Sequence, residues 1–135
     1  MIRLLYISTA RHQPTPEMLA DILRTSRRNN GVVDVSGLLI VGGRRFLQAL
    51  EGPEAAVQQT YDRIARDPRH FAIVQLARES IAERQFSHWA MGAQAGGRPG
   101  EAASVSQAVA TLIAPIRDAS LRGYFSGFVE RQLAA

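Results

Sequence analysis

The sequence predicts an α+β domain in which five strands form one sheet and two long helices cover one of its faces. The chain has 135 residues, of which 46% are hydrophobic and 21% charged, as is typical of one globular domain. Short apolar segments that fit strands alternate with longer segments of helical periodicity, in the order β-α-β-β-α-β-β. That order is a split βαβ, ferredoxin-like arrangement, which places the first and third strands side by side at the centre.

The first half of the chain accounts for three strands and one helix. Residues 2–8 form an apolar run long enough for a buried strand. Thr15 can cap a helix that begins at the following proline, and Gly31 suits a left-handed residue at the end of that helix. Residues 35–41 and 45–51 are predicted to form a hairpin, because a glycine pair separates them.

The second half begins with a helix that Pro53 opens and that stops near residue 67. Residues 71–76 are predicted as the fourth strand and residues 86–93 as the fifth. A segment rich in glycine follows, and two short helices, 104–116 and 118–133, end the chain. The last helix carries a large apolar stripe, formed by Leu121, Tyr124, Phe125 and Phe128. We therefore expect a domain of residues 1–93, a linker of residues 94–103 and a helical extension of residues 104–135 packed on the domain.

Alternation along the two central strands sorts their side chains between the faces of the sheet. Tyr6 and Gln48 are expected to face the two long helices together. The opposite face receives the alternate residues, Leu5, Ile7, Leu47 and Ala49. Since this second face is apolar, it must be covered, and the C-terminal helices are the predicted cover. A dimer surface is the alternative.

The composition excludes several classes of chemistry. The chain has no cysteine, which excludes disulfides, thiolate metal sites and any cysteinyl adduct of a cofactor. All sixteen basic residues are arginine, so Schiff-base chemistry and a phosphate-loop lysine are excluded as well. Three scattered histidines with no carboxylate at ligand spacing predict no metal site.

Charge and hydropathy argue against nucleic-acid and membrane partners. The formal net charge is +4, but the arginines are spread along the chain without an aromatic-rich basic motif. No apolar stretch approaches the roughly 20 residues that a membrane span requires. The N-terminal residues also lack the features of a secretory signal, so we expect a cytoplasmic protein.

Three polar residues fall where the predicted fold has its interior. Tyr6, Gln48 and Asn30 can converge between the sheet and the first helix. Burying such groups without partners costs roughly 1–3 kcal/mol each, so they must bond to one another or to a polar ligand. The pattern alone leaves both interpretations open.

Six blocks of sequence carry a resemblance to a known family. They are residues 6–8 (YIS), 26–30 (SRRNN), 35–39 (VSGLL), 46–52 (FLQALEG), 67–70 (DPRH) and 86–91 (FSHWAM). In order and spacing these blocks resemble the BLUF family, sensors of blue light using FAD. The resemblance covers about residues 1–93 and implies a ferredoxin-like fold. It also implies a photoreceptor rather than an enzyme, with non-covalently bound FAD, or FMN or riboflavin in its place.

The resemblance assigns roles to individual residues. Tyr6 matches the tyrosine that gives an electron to the excited flavin, and Gln48 matches the glutamine between that tyrosine and the ring. Asn30 matches the asparagine that holds the uracil-like edge of the ring, and Asn29 lies beside it. Apolar walls for such a ring can come from Leu19, Ile22 and Leu23 on the stripe of the first helix and from Ile64 on the second helix.

Four further matches lie beyond the hairpin. Arg63 and Asp67 match polar residues at the far edge of the ring and along the ribityl chain. Trp89 and Met91 match a pair on the fifth strand that couples the flavin pocket to the surface. The resemblance further implies a short, stand-alone photoreceptor that forms a homodimer and signals to a downstream protein partner.

Two other interpretations of the residues remain at this point. An acylphosphatase-like hydrolase has a similar topology, and Arg11 follows the first strand where such an enzyme needs an arginine, although the glycine-rich cradle is missing. A regulatory module that binds a colourless ligand is the other alternative.

Overall fold

A computed structural model describes residues 1–86, 107, 109–111 and 113–131 in full, and the backbone of residues 92–96, 132 and 133. The elements are β1 (Ile2–Ala10), α1 (Pro16–Val32), β2 (Ser36–Gly42), β3 (Arg45–Gly52), α2 (Glu54–Ala65), β4 (His70–Ser80), β5 (Gly92–Gly96) and α3 (Ala119–Leu133). Residues 107, 109–111 and 113 are helical as well. None of the described helices is both long and apolar enough to cross a membrane.

The strands form one sheet in the order β4-β1-β3-β2-β5. The predicted α+β, ferredoxin-like fold is confirmed, with β1 and β3 adjacent at the centre. β4, β1, β3 and β2 pair antiparallel, and β5 joins the outer edge of β2 in parallel. The β1–β3 ladder places Tyr6 opposite Gln48 and Arg3 opposite Glu51.

The first face of the sheet packs against α1 and α2. Thr15 caps α1 as predicted, because its hydroxyl oxygen accepts from the Met18 backbone N–H at 3.1 Å. The apolar stripes of both helices contact the alternate strand residues that include Leu4, Leu39 and Leu50. This face therefore has an apolar core in which Tyr6 and Gln48, both buried, are polar exceptions.

The second face is covered by the C-terminal residues, as the sequence predicts. Leu5, Leu38 and Leu47 pack in one cluster with the buried residues of the C-terminal region, Val109, Ile113, Ile116, Leu121, Phe125, Phe128 and Val129. Phe86 also joins this cluster, and its ring meets that of Phe125 edge to face with centroids 6.2 Å apart. Asp118 caps α3, since its Oδ1 accepts from the Leu121 backbone N–H at 3.1 Å.

The end of α1 differs from the prediction. Gly31 lies inside the helix, which continues to Val32, and the left-handed residue is Asp34 with φ 62°. The Val35 backbone N–H donates to the Asn30 carbonyl at 2.9 Å, the long bond of a Schellman cap. Aspartate tolerates this conformation, and here the Arg84 guanidinium donates to its carbonyl at 2.8 Å.

Two other predictions need correction. The fifth strand is Gly92–Gly96 rather than 86–93, and it includes residues that the sequence suggested as linker. Its glycines and alanines have little strand propensity, but their backbone pairs with the edge of β2. Tyr124 belongs to the predicted apolar stripe of α3 but is 40% exposed, whereas Leu121, Phe125 and Phe128 are buried. Residues 87–91 and 97–106 lie outside the described residues, so the remainder of the predicted linker stays a prediction.

We expect the cover of the second face to be a major source of stability. Phe125→Ala removes a fully buried ring and should lower the free energy of unfolding by about 3–5 kcal/mol. Tyr124→Ala, the neighbouring aromatic on the exposed side, should change it by only about 0.5 kcal/mol. Urea unfolding followed by circular dichroism measures both, and equal losses would contradict this packing.

Candidate functional site

A cavity of about 150 Å³ lies between the first face of the sheet and the two helices that cover it. Strand residues form its floor, and α1, α2 and the loop after α2 form its sides. The lining residues are Tyr6, Ile22, Thr25, Ser26, Asn29, Asn30, Leu39, Phe46, Gln48, Arg63, Ile64, Asp67, Arg69 and His70. The structure thus brings together all six residues that the sequence analysis named as cofactor-binding.

Tyr6 and Gln48 form a buried hydrogen-bonded pair on the cavity floor. The Tyr6 hydroxyl donates to Gln48 Oε1, and each residue is only 3% exposed. Burial raises the pKa of the Tyr6 phenol above its ordinary value, and nearby Tyr61 and Asp67 raise it further. The phenol is therefore neutral at physiological pH and keeps a proton that it can share with the carboxamide.

Tyr6 also has aromatic neighbours on two sides. The ring of Tyr61, from α2, meets it edge to face at a centroid distance of 5.5 Å, and the His70 ring lies at 6.4 Å. Such edge-on contacts fix the orientation of a ring, since the positive edge of one ring meets the negative face of the other. The phenol is thus held in one position by packing as well as by its hydrogen bond.

The asparagines come from the last turns of α1. Asn30 is 1% exposed and Asn29 is half-buried, and both line the cavity. Because Asn30 also accepts the capping bond from Val35 through its carbonyl, its backbone is fixed where the chain leaves the helix. A carboxamide in this position offers a donor and an acceptor side by side, which suits a ligand edge that carries both.

The opposite rim carries charged groups. Asp67 accepts from the Arg69 side-chain Nε at 3.0 Å and from the Arg69 backbone N–H at 2.9 Å. These bonds with Arg69 lower the pKa of the Asp67 carboxyl below its ordinary value. Arg63, on the last turn of α2, also lines the cavity and is exposed. This rim therefore presents an ionised carboxylate and two guanidinium groups.

His70 also lines the cavity, although the sequence analysis assigned it no role of its own. Its Nε2 lies 2.7 Å from the Ile64 carbonyl, so Nε2 carries a proton and donates. Its Nδ1 lies 2.8 Å from the hydroxyl of Ser8, which is fully buried. The ring anchors the start of β4, and it also joins β1 to the end of α2 at the cavity wall. The sequence block of residues 67–70 (DPRH) includes His70, but its residues do not indicate these contacts.

The remaining sequence-based candidates fall elsewhere. Trp89 and Met91 lie outside the described residues. Arg11 donates through Nε to the Pro68 carbonyl at 2.9 Å, lies over the Phe71 ring and is absent from the cavity lining. Among the described residues no cluster of histidines and carboxylates could hold a metal ion.

Comparison with known families shows which family the chain belongs to. A model of the family described as "BLUF: Sensors of blue-light using FAD" matches residues 1–92, which include every residue that lines the cavity. The chain belongs to the BLUF family. Its relatives are flavin-binding light sensors, and membership in this family does not support either the acylphosphatase-like or the colourless alternative.

Individual relatives agree with this assignment. Over 83 residues, which are 62% of this chain, it is 36% identical to the blue light- and temperature-regulated antirepressor BluF of Escherichia coli (strain K12). Over 89 residues, or 65% of the chain, it is 35% identical to the photoactivated adenylate cyclase subunit beta of Euglena longa. The aligned part spans only 21% of the first protein and 10% of the second.

Several solved structures match this chain over nearly its whole length. The dark-state structure of BlrB, a BLUF protein, has 26% sequence identity and a TM-score of 0.72. The alignment covers 98% of this chain and 93% of BlrB. The similarity therefore extends beyond the sheet to the C-terminal region that covers its second face.

The cavity residues fit a flavin. An isoalloxazine ring needs apolar walls and a rim of donors and acceptors. Ile22, Leu39 and Ile64 supply walls on both sides of the cavity. The carboxamides of Asn30 and Gln48 supply donors and acceptors together, and the rim guanidinium groups supply further donors.

The Asp67–Arg69 pair predicts a dependence of stability on pH. Because the folded pKa of Asp67 is lowered, its contribution is present above the unfolded pKa of about 3.9 and is lost as pH falls below it. Asp67→Asn should therefore lower the free energy of unfolding at pH 7 by on the order of 1 kcal/mol or less. The difference from the wild type should shrink as pH falls below that unfolded pKa, and it should vanish once pH is below the lowered pKa of the folded state.

Chemical unfolding at a series of pH values measures this difference. Asp62→Asn is the matched control, since Asp62 lies on the exposed side of α2 and accepts from the Gln58 amide. A gap between Asp67→Asn and the wild type that stays constant down to pH 2 would contradict the ionic contribution.

Proposed function

We propose that this chain is a blue-light photoreceptor that binds FAD non-covalently, with FMN or riboflavin able to take its place. The observation that carries the proposal is the buried Tyr6–Gln48 pair on the floor of a cavity lined by carboxamides. An oxidisable phenol and a side chain that can exchange donor for acceptor lie in direct contact there. No nucleophile or general base is needed for such a role, so we propose a sensor rather than an enzyme.

The ring would be held by the groups around the cavity. We assign Asn30 and Asn29 to its uracil-like edge, and Arg63 and Asp67 to its far edge and the ribityl chain. His70 supports this arrangement because it fixes the wall between β1 and α2. When bound, an oxidised flavin absorbs blue light and, once excited, accepts an electron.

Tyr6 and Gln48 supply the response of the protein. A phenol that loses an electron becomes strongly acidic, so Tyr6 releases its proton along the hydrogen bond to Gln48 Oε1. Gln48 can then rotate or tautomerise its amide, which exchanges the acceptor and donor that it presents to the cavity. Return of the electron and of a proton restores the Tyr6 phenol. Light thereby favours a second hydrogen-bond state without a lasting covalent change, and the rest of the domain responds to that state.

The signal is proposed to pass to a protein partner. The names of two relatives, an antirepressor and an adenylate cyclase subunit, are those of proteins with an output beyond light absorption. We propose that this chain, as a homodimer or with a downstream partner, signals through Trp89, Met91 and the C-terminal helices. In this view residues 1–93 bind the flavin and residues 104–135 form the output extension.

The first test is the colour of the purified protein. We expect a yellow protein whose flavin is released by acid or heat, because the proposed cavity residues would hold it by packing and hydrogen bonds alone. Chromatography of the released flavin should show FAD as the main form, and FMN or riboflavin would revise only the cofactor form. Protein that is colourless and takes up none of the three flavins would rule out the proposal.

The second test concerns the Tyr6–Gln48 pair. Blue light should shift the flavin absorption slightly to longer wavelength, and the shift should reverse in darkness. Tyr6→Phe and Gln48→Ala should each abolish the shift while flavin stays bound, at a cost in stability of about 1–3 kcal/mol from the broken buried hydrogen bond.

Tyr61→Phe is the matched control for this test. It makes the same phenol-to-phenyl change on the ring next to Tyr6, but that ring has no bond to Gln48 among the described hydrogen bonds. It should keep the light-induced shift. A normal photocycle in Tyr6→Phe would show that the assigned role is wrong.

A further inference from the structure

A cluster of charges with a buried centre, Arg3 and Glu51, lies on the second face of the sheet, opposite the cavity. Arg3, on β1, is 4% exposed and binds three carboxylates from separate parts of the chain. Its Nη1 donates to Glu51 at 3.1 Å, and its Nη2 donates both to Glu79 at 2.8 Å and to Asp118 at 2.9 Å. We call Arg3, Glu51, Glu79 and Asp118 the Arg3 cluster. A guanidinium buried to this degree depends on its partners, since an unpaired buried charge is strongly destabilising.

Glu51 connects this cluster to the chain that follows β4. It is fully buried, and besides Arg3 it accepts the backbone N–H groups of Gln85 at 2.9 Å and of Phe86 at 2.8 Å. The Phe86 ring packs on Phe125 of α3. A shift of Glu51 must therefore move residues 85 and 86, which contact the helix.

Asp118 connects the same cluster to the first turn of α3. One carboxylate oxygen caps the helix through Leu121, and the other binds Arg3. Gln85 adds a second connection, because its side-chain oxygen accepts from the Arg117 backbone N–H at 3.1 Å. The start of α3 is thus tied to β1 and β3 by charge as well as by apolar packing.

Arg3 and Glu51 lie on the same β1–β3 ladder as the Tyr6–Gln48 pair. Arg3 is opposite Glu51, and Tyr6 is opposite Gln48, three residues farther along the same two strands. Three residues of strand span about 10 Å, and the odd interval places the two pairs on opposite faces of the sheet. The paired backbone of β1 and β3 therefore connects the two pairs without a gap. A change in the hydrogen bond between Tyr6 and Gln48 can reach Arg3 and Glu51 along it.

We propose that the Arg3 cluster is an ionic latch that holds α3 on the sheet and transmits the state of the Tyr6–Gln48 pair to it. This inference rests on the photoreceptor function proposed above. The light signal would then pass to α3 through one contact, between Arg3 and Asp118. This contact would have two arrangements, with Asp118 either bound to Arg3 or released from it. A junction with two states is what coupling between distant sites requires.

Two variants test the latch with the same chemical change. Asp118→Asn keeps an oxygen that can cap α3 but places an uncharged amide against Arg3. Glu79→Gln makes the same change at the other carboxylate bound to Arg3 Nη2, which comes from β4 and has no bond to α3 among the described hydrogen bonds. Both proteins are compared with the wild type by hydrogen exchange of α3 amides, in darkness and under blue light, with the flavin absorption recorded alongside.

In darkness, Asp118→Asn should speed exchange in the first turns of α3 by about threefold or more, and Glu79→Gln should leave it within experimental error of the wild type. Under light, the wild type should show faster exchange in α3 than in darkness. Asp118→Asn should keep the absorption shift but lose this light-dependent difference. Equal effects of the two variants in darkness, or a full light-dependent difference in Asp118→Asn, would overturn the latch.

The measurements separate the failure of the latch from the failure of the photoreceptor function. A wild type without an absorption shift contradicts the proposed function, while the dark comparison still decides whether Asp118 holds α3. A wild type with the shift but identical exchange in α3 in both states leaves the proposed function intact and overturns the latch.

Discussion

The antiparallel pairing of β1 with β3 is the constraint on which the rest of the structure depends. Both strands are buried on both faces, and their register decides which residues meet. A slip of one residue in either strand would send its polar residue, Tyr6 or Gln48, into the apolar second face and bring a leucine or another apolar residue into the cavity. The cavity, the apolar cover and the charge cluster are therefore all consequences of one register.

Much of the fold and the site could be predicted because the signals are local. The alternation of β1 and β3 gave the facing of Tyr6 and Gln48, and Thr15 before a proline gave the start of α1. The resemblance of short blocks supplied the roles of Asn30, Arg63 and Asp67, which periodicity alone could not assign. Only Trp89 and Met91, among the residues named in advance, remain without a structural placement.

The features that could not be predicted depend on contacts between distant residues. Gly31 satisfies the local rule for a helix end, but the cap is completed by Arg84, some fifty residues later, at Asp34. Arginines are usually exposed, and nothing near Arg3 in the sequence indicates that three carboxylates bury it. The bond between Ser8 and His70 joins two strands in the same way. Such pairings become visible only when the sheet is assembled.

The two faces of the sheet draw on different parts of the chain. Every residue that lines the cavity lies between Tyr6 and His70, whereas the cover of the second face comes largely from Val109 onward. A gene rearrangement that replaces the C-terminal part would therefore exchange the cover and leave the light-sensing cavity unaltered. Evolution can join one such sensor to many different effectors, provided that each new cover is apolar and, under the latch proposed above, carries an acidic side chain able to meet Arg3.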